Sequence, residues 1–229
     1  EAELKALQSQ INPHFLYNTL DMIRWTARLE GAKETGKSIE DFSRLFRINL
    51  SQGKLWIPLQ DEMKYVQSYL ELQKRRMANP PTYLLVMESG LEKALVMKIM
   101  LQPLAENSIL HGFSDDSGDY RLYIRAYRQG EQICIEVIDN GSGMDEARIN
   151  EWLRTPAAGE SQRGFALKNI HDRIVNAFGE EYGLKIRPNE SGTGSCVQVW
   201  LPYMDREEQL ERRLHGEESR NDAQDDHRG

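Results

Sequence analysis

The sequence predicts an α+β chain, helical over its first third and mixed strand and helix after it. Three observations carry that reading. Apolar residues before Asn79 recur at helical spacing, as in Ile39, Phe42, Leu45 and Phe46. Asn79-Pro80-Pro81 then interrupts the chain, because proline cannot donate to a helix and restricts the residue before it. Beyond it, short apolar runs such as Ile133-Cys-Ile-Glu-Val-Ile138 alternate with helical stretches and glycine turns. The boundaries are 1–79 for a helical segment, 80–204 for the mixed unit and 205–229 for a charged tail.

Taken in order, Leu4, Leu7 and Ile11 have coiled-coil spacing. Pro13 then interrupts, and two readings compete: Asn12 caps a fresh helix with Pro13 at its first position, or one helix runs through with a kink. Apolar residues on both sides (Ile11, Phe15, Met22, Trp25, Leu29) favour the kink. A turn from Gly31 to Gly36 leads to a second amphipathic helix through Ile39, Phe42, Leu45, Phe46 and Leu50. Gln52-Gly53 and Pro58 break it, and a third helix runs from Leu59 with Met63, Val66, Tyr69, Leu70 and Leu72 on its apolar side. Thr82 to Glu88 reads as a strand, and Ala94 to about His111 as a helix with a break or fresh first turn at Pro103. Arg121 to Tyr127 and Gln132 to Ile138 form a hairpin through Gln129-Gly130-Glu131. A short helix over 145–153, a loop over 154–164 and a helix from Ala166 to Phe178, stopped by Gly179, follow. Strands from Leu184 to Arg187 and from Ser195 to Leu201 complete the unit. The tail predicts disorder beyond a helix over 205–214.

The chain of 229 residues has a formal net charge of -7, which argues against a nucleic-acid binder. Cys134 and Cys196 both lie in strand-like runs, so buried reduced thiols are expected rather than a disulfide or a metal site. No apolar run approaches the roughly 18 residues of a membrane span, and no signal peptide opens the chain. The start falls inside a helical pattern at Glu1-Ala-Glu-Leu4, which predicts a longer protein upstream, where any membrane span would lie.

Four clusters carry chemistry. Asp139-Asn-Gly-Ser-Gly143 follows a strand, so it delivers a carboxylate into a glycine turn. A buried carboxylate accepts from an exocyclic amine, and Gly141 and Gly143 allow close backbone approach and positive φ; the same residues also suit an ordinary hairpin turn. In Pro103-Leu-Ala-Glu-Asn107-Ser-Ile-Leu-His111-Gly112, Asn107 and His111 stand four apart and share a helix face. An amide oxygen suits Mg²⁺, an imidazole donates to phosphate, and Glu106 can orient a water or support the metal; the same residues also suit a helix end with a solvated acid and a histidine near its negative pole. Gly164-Phe-Ala-Leu167-Lys168-Asn169 leads from a loop into a helix whose first N–H groups suit phosphate, or is simple loop punctuation, and Gly192-Thr193-Gly194 before a strand suits a hairpin turn as well as a ligand contact. Finally, His14 in Gln10-Ile-Asn-Pro-His-Phe-Leu-Tyr-Asn-Thr-Leu20 shares a face with Asn18. A neutral imidazole, with an unperturbed pKa of about 6.5, is a competent nucleophile toward phosphorus, though a lone histidine here equally suits a core position beside a kink.

In this order the clusters resemble the sensor histidine kinases of two-component systems, and most closely the LytS/YesM-like group. Gln10 to Leu20 resembles the phosphoacceptor box, Pro103 to Gly112 the N box, and Asp139 to Gly143, Gly164 to Asn169 and Gly192 to Gly194 the three glycine boxes. The resemblance covers roughly residues 4 to 202. It implies a helical dimerisation and phosphoacceptor segment followed by a GHKL-type (Bergerat) α/β sandwich with a mixed sheet, binding ATP and Mg²⁺. It casts His14 as the phosphorylated residue, Asn107 as the metal ligand and Asp139 as the adenine contact. Gly141, Gly143, Gly164, Leu167, Lys168, Asn169, His111, Gly192, Thr193 and Gly194 complete the nucleotide pocket, with 144–163 as a lid hinged at Gly159 and Gly164. The implied partners are a second copy of the chain and a cytoplasmic response regulator. Ala166 stands where the family usually has glycine, and Leu110 where many members have lysine. Those departures fit an alternative, a nucleotide-binding scaffold with weak kinase activity that signals through dimer conformation. A hydrolytic ATPase fits less well, because Pro103 occupies the place of its glutamate base.

Overall fold

A computed structural model describes residues 13–50, 55–112, 119–155, 165–190 and 192–214. The first two elements are α1 (Pro13–Leu29) and α2 (Lys33–Leu50), a helical hairpin turned at Gly31, whose φ is 73°. α1 is described from Pro13 onward. Leu4, Leu7, Ile11 and the kink expected beside them lie outside the described residues.

Strand β1 (Trp56–Pro58) leads into α3 (Leu59–Arg76). Asp61 and Glu62 in the first turn of α3, and Lys74, Arg75 and Arg76 in the last, complement its dipole. Leu59 and the expected Met63, Val66, Tyr69 and Leu70 are all buried on its apolar side, while Leu72, also expected there, is only partly buried. The outer flank of α3 holds the hairpin. Arg75 Nη1 donates to Asp41 Oδ2 at 2.9 Å and to Ser38 Oγ at 3.2 Å, and Arg44 Nη1 donates to Ser68 Oγ at 3.1 Å.

The helix expected from Ala94 to His111 is not continuous. Leu95–Met97 is strand β3, paired antiparallel with β1, and β2 (Thr82–Met87) precedes it. Only Leu101–Asn107 is α-helical (α4), with Pro103 in its first turn as a fresh start. Leu95, Val96 and Met97 are all buried, and a run so short and uniformly apolar has no period to separate strand from helix. Its partner, Trp56–Pro58, lies far upstream.

The main sheet has the order β2-β4-β5-β7-β6, where β4 is Arg121–Gln129, β5 Gln132–Asp139, β6 Gly183–Pro188 and β7 Ser195–Pro202. β2 runs parallel to β4 and the other neighbours are antiparallel, giving the expected mixed sheet. Gly130, at φ 62°, closes the β4–β5 hairpin. Alternation sorts the faces. Leu122, Ile124, Ile133, Ile135, Val137, Leu184, Ile186, Val197, Val199 and Leu201 share one core with the helices. On the other face Arg125, Glu136, Gln198 and Lys185 stand in one row across four strands. Burial pushes the Glu136 carboxyl up, but donors from Arg125, Gln198 and Tyr127 together hold it below the usual carboxylate range. Cys134 and Cys196 are buried free thiols, as expected, and burial pushes them up to about 11 and about 12.

Helix α5 (Glu146–Arg154) starts at Asp145, whose side chain accepts from Arg148 N at 3.1 Å. Helix α6 (Phe165–Phe178) ends at Gly179, at φ 97°, as expected. A last helix, α7 (207–214), sends Leu210 into the core, and the tail beyond it lies outside the described residues. No described helix is long and apolar enough to cross a membrane.

Side chains cover the edge strand β6. Leu184 N donates to His171 Nδ1 at 3.0 Å, and Asn150 bonds both the N–H and the C=O of Ile186 at 2.8 Å. Burial, then the neighbouring Lys168, lowers the His171 pKa from its ordinary 6.5. A protonated Nδ1 cannot accept from Leu184, and the unfolded chain takes the proton more readily. This contribution is therefore complete above the unfolded pKa and is lost as pH falls through the folded one. Denaturant unfolding of wild type and His171→Asn between about pH 7 and 5 should show an acid-side loss in wild type that the variant lacks.

Candidate functional site

Asp139 closes β5 at 1% exposure, and four donors converge on its carboxylate. Gly141 N (3.0 Å) and Ser195 N (3.3 Å) donate to Oδ1, and Ser108 Oγ (3.0 Å) and Ser195 Oγ (2.7 Å) donate to Oδ2. Sheet register brings Ser195 there, because Ile138 pairs with Cys196. Ser108 arrives differently. Immediately after Asn107 the helix widens into a π-type turn, Ser108–Gly112, and Ser108 is buried against the strand end. Asp139 and the Asn107 helix are thus joined through the residue that follows Asn107. Serine hydroxyls rotate, so this carboxylate can exchange one of them for the exocyclic amine of a purine.

The third glycine turn belongs to the same site. A Cβ on Gly194, at φ 108°, would lie 2.0 Å from the Asp139 carbonyl oxygen. One on Gly143, at φ 80°, would lie 3.3 Å from Gly194 O. Gly141 is not among the positive-φ glycines; it contributes its N–H instead. Asn189 Nδ2 ties the loop down, donating to Asp139 O at 2.8 Å and Thr193 O at 3.1 Å. Gly192 and Thr193 are exposed.

Glu106 and Asn107 are half-buried on α4. Burial, with the Glu106 charge next, pushes the Tyr69 hydroxyl of α3 up to about 12. The shared α-face expected for Asn107 and His111 does not hold, because α-geometry stops at Asn107; the His111 side chain lies outside the described residues. On α6, Leu167 is buried in the core, Asn169 is exposed, and Lys168 Nζ donates to Leu153 O at 2.6 Å and pairs with Asp172 at 2.8 Å. Gly159 and Gly164 lie outside the described residues, as do 113–118. His14 and Asn18 occupy α1, where the His14 side chain is likewise undescribed and Asn18 is exposed. A cavity of about 540 Å³ opens on the opposite face of the sheet, lined by Arg125, Glu136, Arg187 and Gln198, and meets Asp139 from behind. Sequence reading missed Ser108, Ser195 and Asn189. The one available signal was position: Ser108 adjoins Asn107, and Ser195 opens a strand.

A mixed sheet backed by helices, with an acid at a strand end bound to an adjoining asparagine-bearing helix, is the architecture of a GHKL-type ATP-binding domain. The family model of the histidine kinase-, DNA gyrase B- and HSP90-like ATPase matches residues 92–205, and that of the histidine kinase matches residues 2–80. The chain is 37% identical to Sensor histidine kinase YesM of Bacillus subtilis (strain 168), over 88% of this chain and 33% of that protein. It is 32% identical to Sensor protein LytS of Bacillus cereus, over 91% of this chain and 35% of that protein. It therefore spans about a third of the length of these curated relatives. The catalytic domain of histidine kinase ThkA shares the fold, with a TM-score of 0.50 and 15% identity over 66% of this chain and 97% of that one. The chain belongs to the histidine kinase family, within the group that includes YesM and LytS.

Gly194→Ala should destabilise the fold by about 2 kcal/mol or more, since both φ and the Asp139 backbone oppose a methyl group. Urea unfolding checks the first effect. Loss of ATP binding in the fraction that remains folded checks the second.

Proposed function

We propose that this chain is the phosphoryl-transferring part of a two-component sensor: it binds ATP beside Asp139, phosphorylates His14, and passes the phosphoryl group to an aspartate of a response regulator. The observation that carries this reading is the Ser108 bond. It joins the Asp139 carboxylate to the Asn107 helix, in a chain whose sequence also bears Asn12-Pro13-His14, the last two on α1.

Asp139 accepts from the adenine amine, and the backbone turns around Gly141, Gly143 and Gly194 leave room for the nucleotide. The Asn107 amide oxygen is a hard donor suited to Mg²⁺, which when bound neutralises charge on the phosphates. A ring nitrogen of His14 attacks the γ-phosphorus, the bond to the β–γ bridging oxygen breaks, and ADP departs with that electron pair. Glu106 is the candidate acceptor for the imidazole proton, and Asn18 positions the phosphoryl group. Most of the rate enhancement then comes from positioning and charge. The resulting N–P bond is labile, which suits onward transfer to a carboxylate. Residues 1–79 present the acceptor and 80–204 the nucleotide.

The hairpin supports a dimer. Met22, Trp25 and Leu29 on α1 are 62%, 57% and 83% exposed, and Phe42 on α2 is 43% exposed. A second copy covering them would make a four-helix bundle. In the whole protein, a segment upstream of this chain supplies the membrane anchor and leaves this part in the cytoplasm.

His14→Gln should abolish acid-labile labelling from γ-labelled ATP while nucleotide binding survives; label persisting in that variant assigns the acceptor elsewhere. Asp139→Asn should weaken ATP affinity by roughly 10- to 150-fold, the equivalent of a charged hydrogen bond of about 1.5–3 kcal/mol, as read by calorimetry.

A further inference from the structure

Glu62 is an acid with no exposure, on the first turn of α3. Its Oε2 accepts from Ile99 N, and its Oε1 accepts from Met100 N and Leu101 N, each at 2.9 Å. Those N–H groups form the head of α4. That helix begins at Leu101, and Met100 at its cap position supplies no side-chain cap. A residue 37 to 39 positions upstream does the capping instead.

The backbone being held is strained. Ile99 has φ 60°, in the left-handed region that a β-branched residue rarely adopts, and among described residues it alone does so without being glycine. A second tie runs alongside: Tyr65 OH donates to Gln102 Oε1 at 2.7 Å. The far end of α4 is Asn107, followed by Ser108 on Asp139. A shift at Ile99–Leu101 therefore reaches the nucleotide side through one short helix. On its outer flank α3 is bonded to α2 through Arg75 and Arg44.

Stability alone does not account for an acid here. Burial pushes the Glu62 carboxyl up to about 7, with the three backbone donors and Lys98 opposing, so desolvation cancels much of what those bonds contribute. A local serine or aspartate would cap α4 with far less desolvation.

We propose that Glu62 is a positioning residue of the nucleotide site: its carboxylate holds the head of α4 in the strained turn at Ile99, and so sets Asn107 and Ser108 against Asp139. Through α3 it couples the helical hairpin to nucleotide binding. This rests on the nucleotide reading of the Asp139 site.

Calorimetry of Mg-ATP binding to the purified chain tests it. Glu62→Gln keeps the size of the side chain but turns an amide NH₂ toward backbone donors. Its Kd should rise about 10-fold or more with the fold retained by circular dichroism. Adding Ile99→Gly removes the Cβ penalty of the left-handed backbone and should restore Kd to within about threefold of wild type. Val66→Ala, a cavity on the same helix, should lower Tm while leaving Kd unchanged. In wild type, saturating Mg-ATP should slow hydrogen exchange at the Met100 and Leu101 amides, a readout that needs no variant to fold. Wild-type-like affinity in Glu62→Gln, an equal loss in Val66→Ala, no restoration by Ile99→Gly, or unchanged exchange at those amides overturns the proposal alone. A wild-type chain that binds no Mg-ATP overturns the nucleotide reading and this proposal together.

Discussion

The Asp139 carboxylate is the joint on which the site depends. A carboxylate this deeply buried needs donors, and a bare one would cost several kcal/mol. The donors come from the turn after β5, the start of β7 and the end of α4, none of which adjoins all the others in sequence. Those stretches have to arrive together, so satisfying this one carboxylate also closes the fold around it. Gly194 adds a steric condition to the electrostatic one, because the loop before β7 rests directly on the Asp139 backbone.

Helix α3 is the other organising element. One face is apolar and lies in the core with α4 and the sheet, while the opposite flank holds the helical hairpin through guanidinium bonds to Asp41, Ser38 and Ser68. β1, just before it, pairs with β3, just before α4. The expected boundary at Asn79 thus lies within a stretch whose two sides share packing and strand pairing. An α-helix is stiff over its length, so a displacement on the hairpin side has a short path to α4 and the Asp139 cluster. The bonds of α3 to both α2 and α4 make that path a physical one.

Much of the fold was legible because periodicity is a local property. The buried face of α3, the β4–β5 hairpin with Gly130, α6 ending at Gly179 and the Asp145 start of α5 follow from spacing, turn chemistry and capping. β3 was not, since three consecutive buried residues carry no period, and its partner is set by a crossing distant in sequence. The π-type turn after Asn107 was not either. Nothing local in Ser108-Ile-Leu-His111 announces it, and its stabilisation includes a hydrogen bond to a carboxylate 31 residues downstream.

By itself the sequence determined the chemical inventory and its order: a histidine behind a proline, an asparagine on a helix, an acid at a strand end, and glycines at three turns. It also determined most of the helices and strands, β1, β3 and the π-type turn excepted, because those preferences are written within a few residues. The tertiary structure alone decided which donors meet Asp139, why Gly194 has no room for a side chain, and that Glu62 reaches the head of α4. Each of these depends on strand register or helix crossing between distant stretches. Such contacts exist only after the apolar faces have packed, and no local pattern encodes where the polar groups then come to rest.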